Sequence, residues 1–122
     1  MGRIYAQHID GVPWGPRKTG QEGRDGVIGQ RTRSKLLGDP DTGPWTLLVE
    51  AQPGHSPPAH SHSQDEHMYI LKGEMKMGDK THRAGALVFI EKDTVYSFTA
   101  GPEGVTFLNF RSAPASFDIK SA

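Results

Sequence analysis

The chain has 122 residues, contains no cysteine, and balances fourteen Lys and Arg with fourteen Asp and Glu. This length predicts one domain with a single core, and the missing thiols exclude disulfide bonds and a cysteine nucleophile. The sequence has no apolar run long enough to cross a bilayer and no secretory leader pattern, so we expect a soluble, cytoplasmic protein without membrane contact.

Residues 1–44 are predicted to form an N-terminal arm that is partly irregular. Residues 10–41 are rich in Gly, Pro, Arg and Thr, and only residues 27–28 indicate a short strand. Residues 1–37 carry seven basic against three acidic residues, and such a segment can contact nucleic acid. The cluster is short and lacks interleaved aromatic residues, so we favour a solvated arm or a subunit contact and expect no nucleic-acid partner.

Residues 45–122 show the pattern of an all-β domain. Short runs of β-branched, aromatic and aliphatic residues alternate with turns, and no run has the 3.6-residue apolar period of a helix. Six or seven such strands at spacings of about eight to twelve residues are typical of a sandwich, barrel or jelly roll. The runs are residues 46–51, 68–71, 74–77, 86–90, 95–99 and 105–110, with a turn predicted at 101–104.

Two histidines and a glutamate have the spacing of a metal site. His60 and His62 are two residues apart, so on an extended backbone both side chains project from one face. Glu66 follows at the start of an apolar run, and a short turn can bring its carboxylate beside the rings. Two nitrogens and one oxygen suit Fe, Mn, Ni, Zn or Cu, and this set is typical of many non-haem iron oxygenases. A His-x-His pair is also common on protein surfaces, which is the alternative on spacing alone.

The same segment carries a family resemblance. Five positions reproduce the first signature of the cupin superfamily, G-x5-H-x-H-x3,4-E-x6-G, namely Gly54, His60, His62, Glu66 and Gly73. The chain therefore resembles a small single-domain cupin over residues 45–111. The resemblance implies a double-stranded β-helix, or jelly-roll barrel, in which the two histidines and the glutamate point into the mouth as ligands of a divalent transition metal. It also implies a homodimer, to which an arm poor in apolar residues can contribute by crossing to the partner.

The second cupin signature, G-x5-P-x-G-x2-H-x3-N, is degenerate. Anchored on Gly85, its other four positions hold Glu91, Asp93, Tyr96 and Ala100. Tyr96 stands where the family has its fourth metal ligand, and by that position it is expected to look toward the metal. A phenol there can ligate the metal, donate a hydrogen bond to a substrate, or act as an acid or base. An ordinary inward-facing aromatic residue is the alternative.

Strand alternation predicts which neighbours face the barrel interior. If Glu66 points inward, His67 points outward, unless a β-bulge at the preceding turn reverses it. His55, in a Pro-rich turn, is expected at the rim. The expected apolar lining consists of Met68, Ile70, Phe98 and Phe107.

Two functions follow from this pattern. The first is a metal-dependent enzyme, with a 2-His-1-Glu centre that performs dioxygenase-like oxidation or cleavage of a small oxygenated organic molecule, or isomerase or lyase chemistry. In that enzyme Tyr96 orients the substrate. The second is a non-catalytic cupin that binds or senses a small molecule and whose metal site is weakened or absent, because the second signature has lost its histidine.

Overall fold

A computed structural model describes residues 2, 4, 6–15, 31–39, 41–112 and 118–119. Almost all of their regular structure consists of antiparallel β-strands. The elements in chain order are a 3-10 helix Ile9–Gly11 and strands β1 Thr32–Gly38, β2 Trp45–Ala51, β3 His60–Ser61, β4 Glu66–Met77, β5 Lys80–Arg83, β6 Leu87–Ile90, β7 Thr99–Arg111 and β8 Asp118–Ile119. Within the described ranges no α-helix occurs, and no helix is long and apolar enough to span a bilayer.

The strands form two antiparallel sheets. The larger sheet has the order β1-β2-β7-β4-β5, with β6 paired to β4, and the smaller consists of β3 and β8. Backbone hydrogen bonds also join residues 54–62 to residues 93–101, and this pair closes over the core face of the larger sheet. The predicted all-β jelly-roll fold is confirmed by this arrangement.

Alternation along the two central strands determines the core. In β2 every second residue from Trp45 to Ala51 is buried, and in β4 the same alternation runs from Glu66 through Met68 to Ile70. Successive side chains of a strand point to opposite faces, so every second residue is buried when only one face packs on a core. The inward parity of β4 therefore carries a carboxylate, Glu66, into an otherwise apolar interior.

The arm differs from expectation in one respect. β1 lies within the segment assigned to the arm, yet it pairs with β2 over seven residues and belongs to the larger sheet. The described residues before it pack on the same chain. Gly15 and Ser34 exchange backbone hydrogen bonds of 2.9 and 2.8 Å, and the Trp14 ring lies 4.0 Å from the Arg33 guanidinium carbon and 4.8 Å from Lys35 Nζ. Residues 27–28, predicted as a short strand, lie outside the described part of the chain.

Two strand boundaries also differ. Of the predicted strand 95–99, residues 95–98 contain only an isolated bridge at Tyr96, and Thr99 begins β7. Residues 101–104, predicted as a turn, lie inside β7, where they stand opposite Glu74 alone between the pairs Gly73–Val105 and Met75–Ala100. The turn-forming residues therefore produce a bulge in a continuous strand, because the neighbouring strand β4 supplies partners on both sides of it.

Candidate functional site

The segments that contain the two signatures lie side by side. His60 and Tyr96 form an antiparallel bridge, with N–H···O distances of 3.0 Å from His60 to Tyr96 and 2.8 Å in the reverse direction. The Asp93 amide donates to the His62 carbonyl at 2.8 Å. As a result, the Tyr96 ring centre lies 4.5 Å from that of His60 and 5.9 Å from that of His62.

The backbone of the second signature persists although its residues have changed. Asp93, at the position of the second glycine, has a positive φ of 64°, and Gly85, at the first, has a φ of 95°. Asp is one of the few residues other than Gly that adopts the left-handed conformation at small cost. The turn is thus retained, and it places Tyr96 where the resemblance predicts the fourth ligand.

The three predicted metal ligands are brought together in the interior. His60, His62 and Glu66 are all buried. The two imidazole centres are 4.8 Å apart, and His62 Nε2 lies 3.9 Å from Glu66 Oε1. The Tyr96 hydroxyl stands between these last two atoms, 3.2 Å from His62 Nε2 and 2.6 Å from Glu66 Oε1.

Both oxygens of the Glu66 carboxylate already have partners from the protein. Oε1 accepts from the Tyr96 hydroxyl, while Oε2 accepts from Arg111 Nη2 at 2.8 Å and from Asn109 Nδ2. Arg111 is itself only 3% exposed, and its guanidinium lies over the Trp45 ring at 5.4 Å. The result is a buried ion pair with additional hydrogen bonds on each oxygen, which is the arrangement that makes such a pair tolerable in an interior.

This environment keeps Glu66 ionised. Burial by itself raises the pKa of the Glu66 carboxyl, but the charges of Arg111 and His62 and the hydrogen bonds from Tyr96 and Arg111 outweigh it. Together they lower the pKa from its ordinary value of 4.5 to about 2. At neutral pH Glu66 is therefore a carboxylate that only accepts hydrogen bonds.

The ionised state of Glu66 determines which atoms of the neighbouring side chains carry hydrogens. Since the carboxylate only accepts, the single hydroxyl hydrogen of Tyr96 points to it, and the Tyr96 oxygen accepts from His62. His62 Nε2 therefore carries a hydrogen. In His60 the hydrogen is on Nδ1, because that atom lies 2.8 Å from the Pro58 carbonyl, which cannot donate.

A metal centre does not fit this arrangement of side chains. Among the described residues, no group of three or more His, Cys, Asp and Glu side chains is placed so that it could hold a metal ion. A ligand needs a lone pair directed at the ion. His62 Nε2 instead carries a hydrogen, and both oxygens of Glu66 are bound to protein donors. The predicted ligands thus meet in a hydrogen-bond network rather than in a coordination geometry.

The other interior predictions can be compared with the structure one by one. The four residues expected to form the apolar lining are all buried, namely Met68, Ile70, Phe98 and Phe107. His67 faces outward against Phe89, and the irregularities of β4 lie beyond it, after Ile70. His55, expected at the rim, is instead 6% exposed and contacts Phe98 edge-on at 6.1 Å.

Asn109 and Arg111 were missed by the sequence analysis. Both continue the inward parity that begins at Phe107, so strand alternation alone places them on the core face. An inward Arg requires a buried anionic partner, and Glu66 was already assigned to the interior. That combination is the signal that could have identified the pair from the sequence.

Comparisons with known structures agree on the fold. The polyketide cyclase RemF from Streptomyces resistomycificus aligns with a TM-score of 0.77 at 17% identity, over 98% of this chain and 87% of that one. An acetylacetone dioxygenase from Acinetobacter johnsonii aligns with a TM-score of 0.70 at 20% identity, over 96% and 78%. The complex of Rhodobacter sphaeroides SigE with the anti-sigma ChrR gives a TM-score of 0.65 at 16% identity, over 87% and 52%.

These identities are low, so the structural likeness establishes the fold and not an activity. A comparison with curated proteins found no match. The sequence profile of the ChrR cupin-like domain family matches residues 8–115, which is most of the chain. The chain therefore belongs to this family within the cupin superfamily.

Proposed function

We propose that the chain binds a small oxygenated organic molecule in the mouth of the barrel, where Tyr96 and His62 contact it. The observation that carries this proposal is the hydrogen-bonded row in which His62 donates to Tyr96 and Tyr96 donates to Glu66, at 3.2 and 2.6 Å. Tyr96 is only partly buried, unlike His62 and Glu66, so it is the member of the row that solvent can reach.

The row offers a ligand two oriented polar groups, the His62 ring and the Tyr96 hydroxyl. An incoming carbonyl or hydroxyl oxygen can take the His62 hydrogen that Tyr96 now accepts. Glu66 meanwhile holds the Tyr96 hydroxyl in place, because Arg111 and Asn109 fix the carboxylate from behind. A few oriented polar groups in an apolar concavity are typical of small-molecule sites. Relatives of the same fold are named for a polyketide and for acetylacetone, and both names support an oxygenated ligand.

Acetylacetone is a suitable first probe because its two oxygens can accept hydrogen bonds. The test is a titration of purified protein with acetylacetone, followed by NMR chemical shifts of the histidine ring protons. Tyr96→Phe removes only the hydroxyl and is expected to weaken binding about tenfold. Tyr69→Phe, at an exposed tyrosine on the outer face, is the matched control and should bind as the wild type does. No saturable binding, or equal affinity in Tyr96→Phe, would contradict the proposal.

A metal-dependent enzyme is the second candidate, and the adjacent buried imidazoles of His60 and His62 favour it. The cofactor would be Fe, Mn, Ni, Zn or Cu held by these histidines and Glu66, which requires His62 Nε2 to give up its hydrogen and Glu66 to give up a hydrogen bond from Tyr96 or Arg111. The chemistry would be of the dioxygenase, isomerase or lyase type. Elemental analysis of protein from metal-supplemented growth tests this candidate. Bound metal that is lost in the His60→Ala, His62→Ala double variant supports it, and metal-free wild-type protein speaks against it.

We also propose that the chain forms a homodimer through the outer face of the larger sheet. This face exposes apolar side chains around a groove of about 320 Å³, including Tyr69, Leu87, Phe89 and Phe110. Contiguous exposed apolar patches mark interaction sites more often than they mark ordinary surface. Sedimentation equilibrium at micromolar concentration is the test, and a monomer over the whole concentration range would contradict the proposal.

A further inference from the structure

We infer that Arg111 and Asn109 control the metal affinity of the barrel, because they bind the Glu66 carboxylate that a divalent cation would otherwise bind. The inference goes beyond the proposed ligand site, since it concerns which cation neutralises Glu66. It rests on a contact within the protein: Arg111 Nη2 lies 2.8 Å from Glu66 Oε2, and both side chains are buried.

Strand register accounts for the pairing. β4 and β7 are antiparallel, with His67 opposite Phe110 and Met68 opposite Asn109. Continued by one residue, this register sets Glu66 opposite Arg111 on the core face. Side chains directly opposite in an antiparallel pair are close enough to interact. The salt bridge is thus built into the two strands that form the centre of the larger sheet.

The guanidinium is held on more than one side. Asn109 donates from Nδ2 to Glu66 Oε2, and its Oδ1 lies 3.4 Å from Arg111 Nε. The Trp45 ring covers the guanidinium at 5.4 Å, a distance at which a cation is attracted to the aromatic face. Because the Arg111 guanidinium has partners on three sides, it cannot readily move away from Glu66 when another cation approaches.

Charge balance explains why this contact opposes a metal. Glu66 and Arg111 together are neutral, and a divalent ion added to them would give these three groups a net charge of +2 in the interior, the displaced guanidinium included. Uncompensated buried charge is strongly unfavourable. Without Arg111, the same ion and Glu66 would carry a net charge of +1, and the carboxylate would keep only the hydrogen bonds from Asn109 and Tyr96. Removal of Arg111 should therefore increase the affinity for metal.

Cobalt is the probe, because Co²⁺ reports its ligands through visible absorption. Chelator-treated wild type, Arg111→Met and Arg111→Lys are titrated with Co²⁺ by calorimetry and absorption spectroscopy. We expect Arg111→Met to bind one equivalent at least tenfold more tightly than the wild type, whereas Arg111→Lys, which keeps the charge, should resemble the wild type. Adding Glu66→Gln to Arg111→Met should abolish the gain. Arg33→Met is the matched control, since Arg33 pairs with Glu50 at 2.9 Å on the surface.

Each outcome bears on the inference. Wild-type protein that retains one equivalent of Co²⁺ as tightly as Arg111→Met would overturn it, and so would a gain that persists without Glu66. If Arg111→Met is unfolded when metal-free, folding driven by Co²⁺ and followed by circular dichroism would support the inference, and failure to fold with Co²⁺ would contradict it. Acetylacetone binding is measured without metal, so a failure of the proposed ligand site would be seen separately.

Discussion

At the scale of single residues, the chemistry of the barrel centres on Glu66. Its carboxylate is 1% exposed yet ionised, since the Arg111 guanidinium and the donors around it offset the cost of burial. The ionised carboxylate in turn fixes the hydroxyl hydrogen of Tyr96 and the ring hydrogen of His62. One buried charge thereby orients each polar group that we assign to ligand binding.

The first prediction concerns the acid stability of the fold. The folded-state pKa of Glu66 is about 2, below its ordinary value of 4.5. Its ionised form therefore stabilises the protein above about pH 5, and this contribution, roughly 3 kcal/mol, is lost as the pH falls toward 2. Glu66→Gln lacks that contribution, so its deficit in unfolding free energy should shrink from pH 7 to pH 2.5. Urea denaturation across this range measures it, and a constant deficit would contradict the assigned pKa.

The second prediction compares a buried with an exposed arginine. Arg111→Met leaves the Glu66 charge unpaired in the interior and should reduce the free energy of unfolding by about 3–5 kcal/mol at neutral pH. Arg33→Met breaks a pair whose side chains are 52% and 42% exposed and should cost about 0–1 kcal/mol. Thermal and urea denaturation of both variants provide the comparison. Equal losses would show that Arg111 does not act through a buried ion pair.

At the scale of elements, the site depends on how closely β4 and β7 approach each other. Gly73 of β4 has a φ of 75°, and a Cβ at this position would collide with the Gly104 carbonyl of β7. Gly104 is also the last residue of the bulge at 101–104, which stands opposite Glu74, the residue after Gly73. Away from this close contact, the register of β4 against β7 places Glu66, Asn109 and Arg111 near one another on the core face.

The third prediction separates steric contact from backbone strain at two glycines, Gly73 in β4 and Gly78 in the turn after it. Gly78 has a φ of 60° with open space around it, whereas Gly73 has a similar φ and the Gly104 carbonyl against it. Gly78→Ala should cost about 1 kcal/mol for the left-handed backbone alone. Gly73→Ala should cost at least twice that amount, because the strands must also move apart. Denaturation midpoints test this, and similar costs for the two variants would mean that the close approach is unimportant.

At the scale of the whole molecule, the larger sheet has two different faces. Its inner face holds the core and the Glu66 network, while its outer face exposes aromatic and aliphatic side chains around the groove. The described part of the arm lies over β1, through Trp14 and Lys35, and its residues Ile9 and Val12 line a small cavity with Leu48 of β2 and Leu108 of β7. The three described basic residues of that region, Arg31, Arg33 and Lys35, all bind groups of their own chain.

The fourth prediction addresses self-association through this outer face. Leu87 is 82% exposed and lines the groove, so Leu87→Asp should leave the monomer fold intact while raising the dimer dissociation constant tenfold or more. Val95→Asp, at an exposed apolar residue that does not line this groove, is the control and should leave association unchanged. Sedimentation velocity over a dilution series measures both, and equal effects would exclude the groove as the interface.

Much of this protein could be predicted from the sequence, because the relevant signals are local. Strand alternation gave the inward residues Met68 and Ile70 of β4 and the outward position of His67. The spacing of the first signature brought His60, His62 and Glu66 to one place, and Tyr96 was assigned to the same place by its position in the second signature. These features depend on residue periods and turn residues within a few positions of each other.

Only the tertiary structure decided what these residues do to one another. Arg111 lies 45 positions after Glu66 in the chain, and their contact depends on the register of β4 against β7, which no pattern within either strand specifies. Spacing alone predicted three ligands of a metal. Pairing across strands gave Glu66 a guanidinium, an amide and a phenol as partners, because a buried carboxylate must be neutralised and hydrogen-bonded by the groups that the fold places beside it.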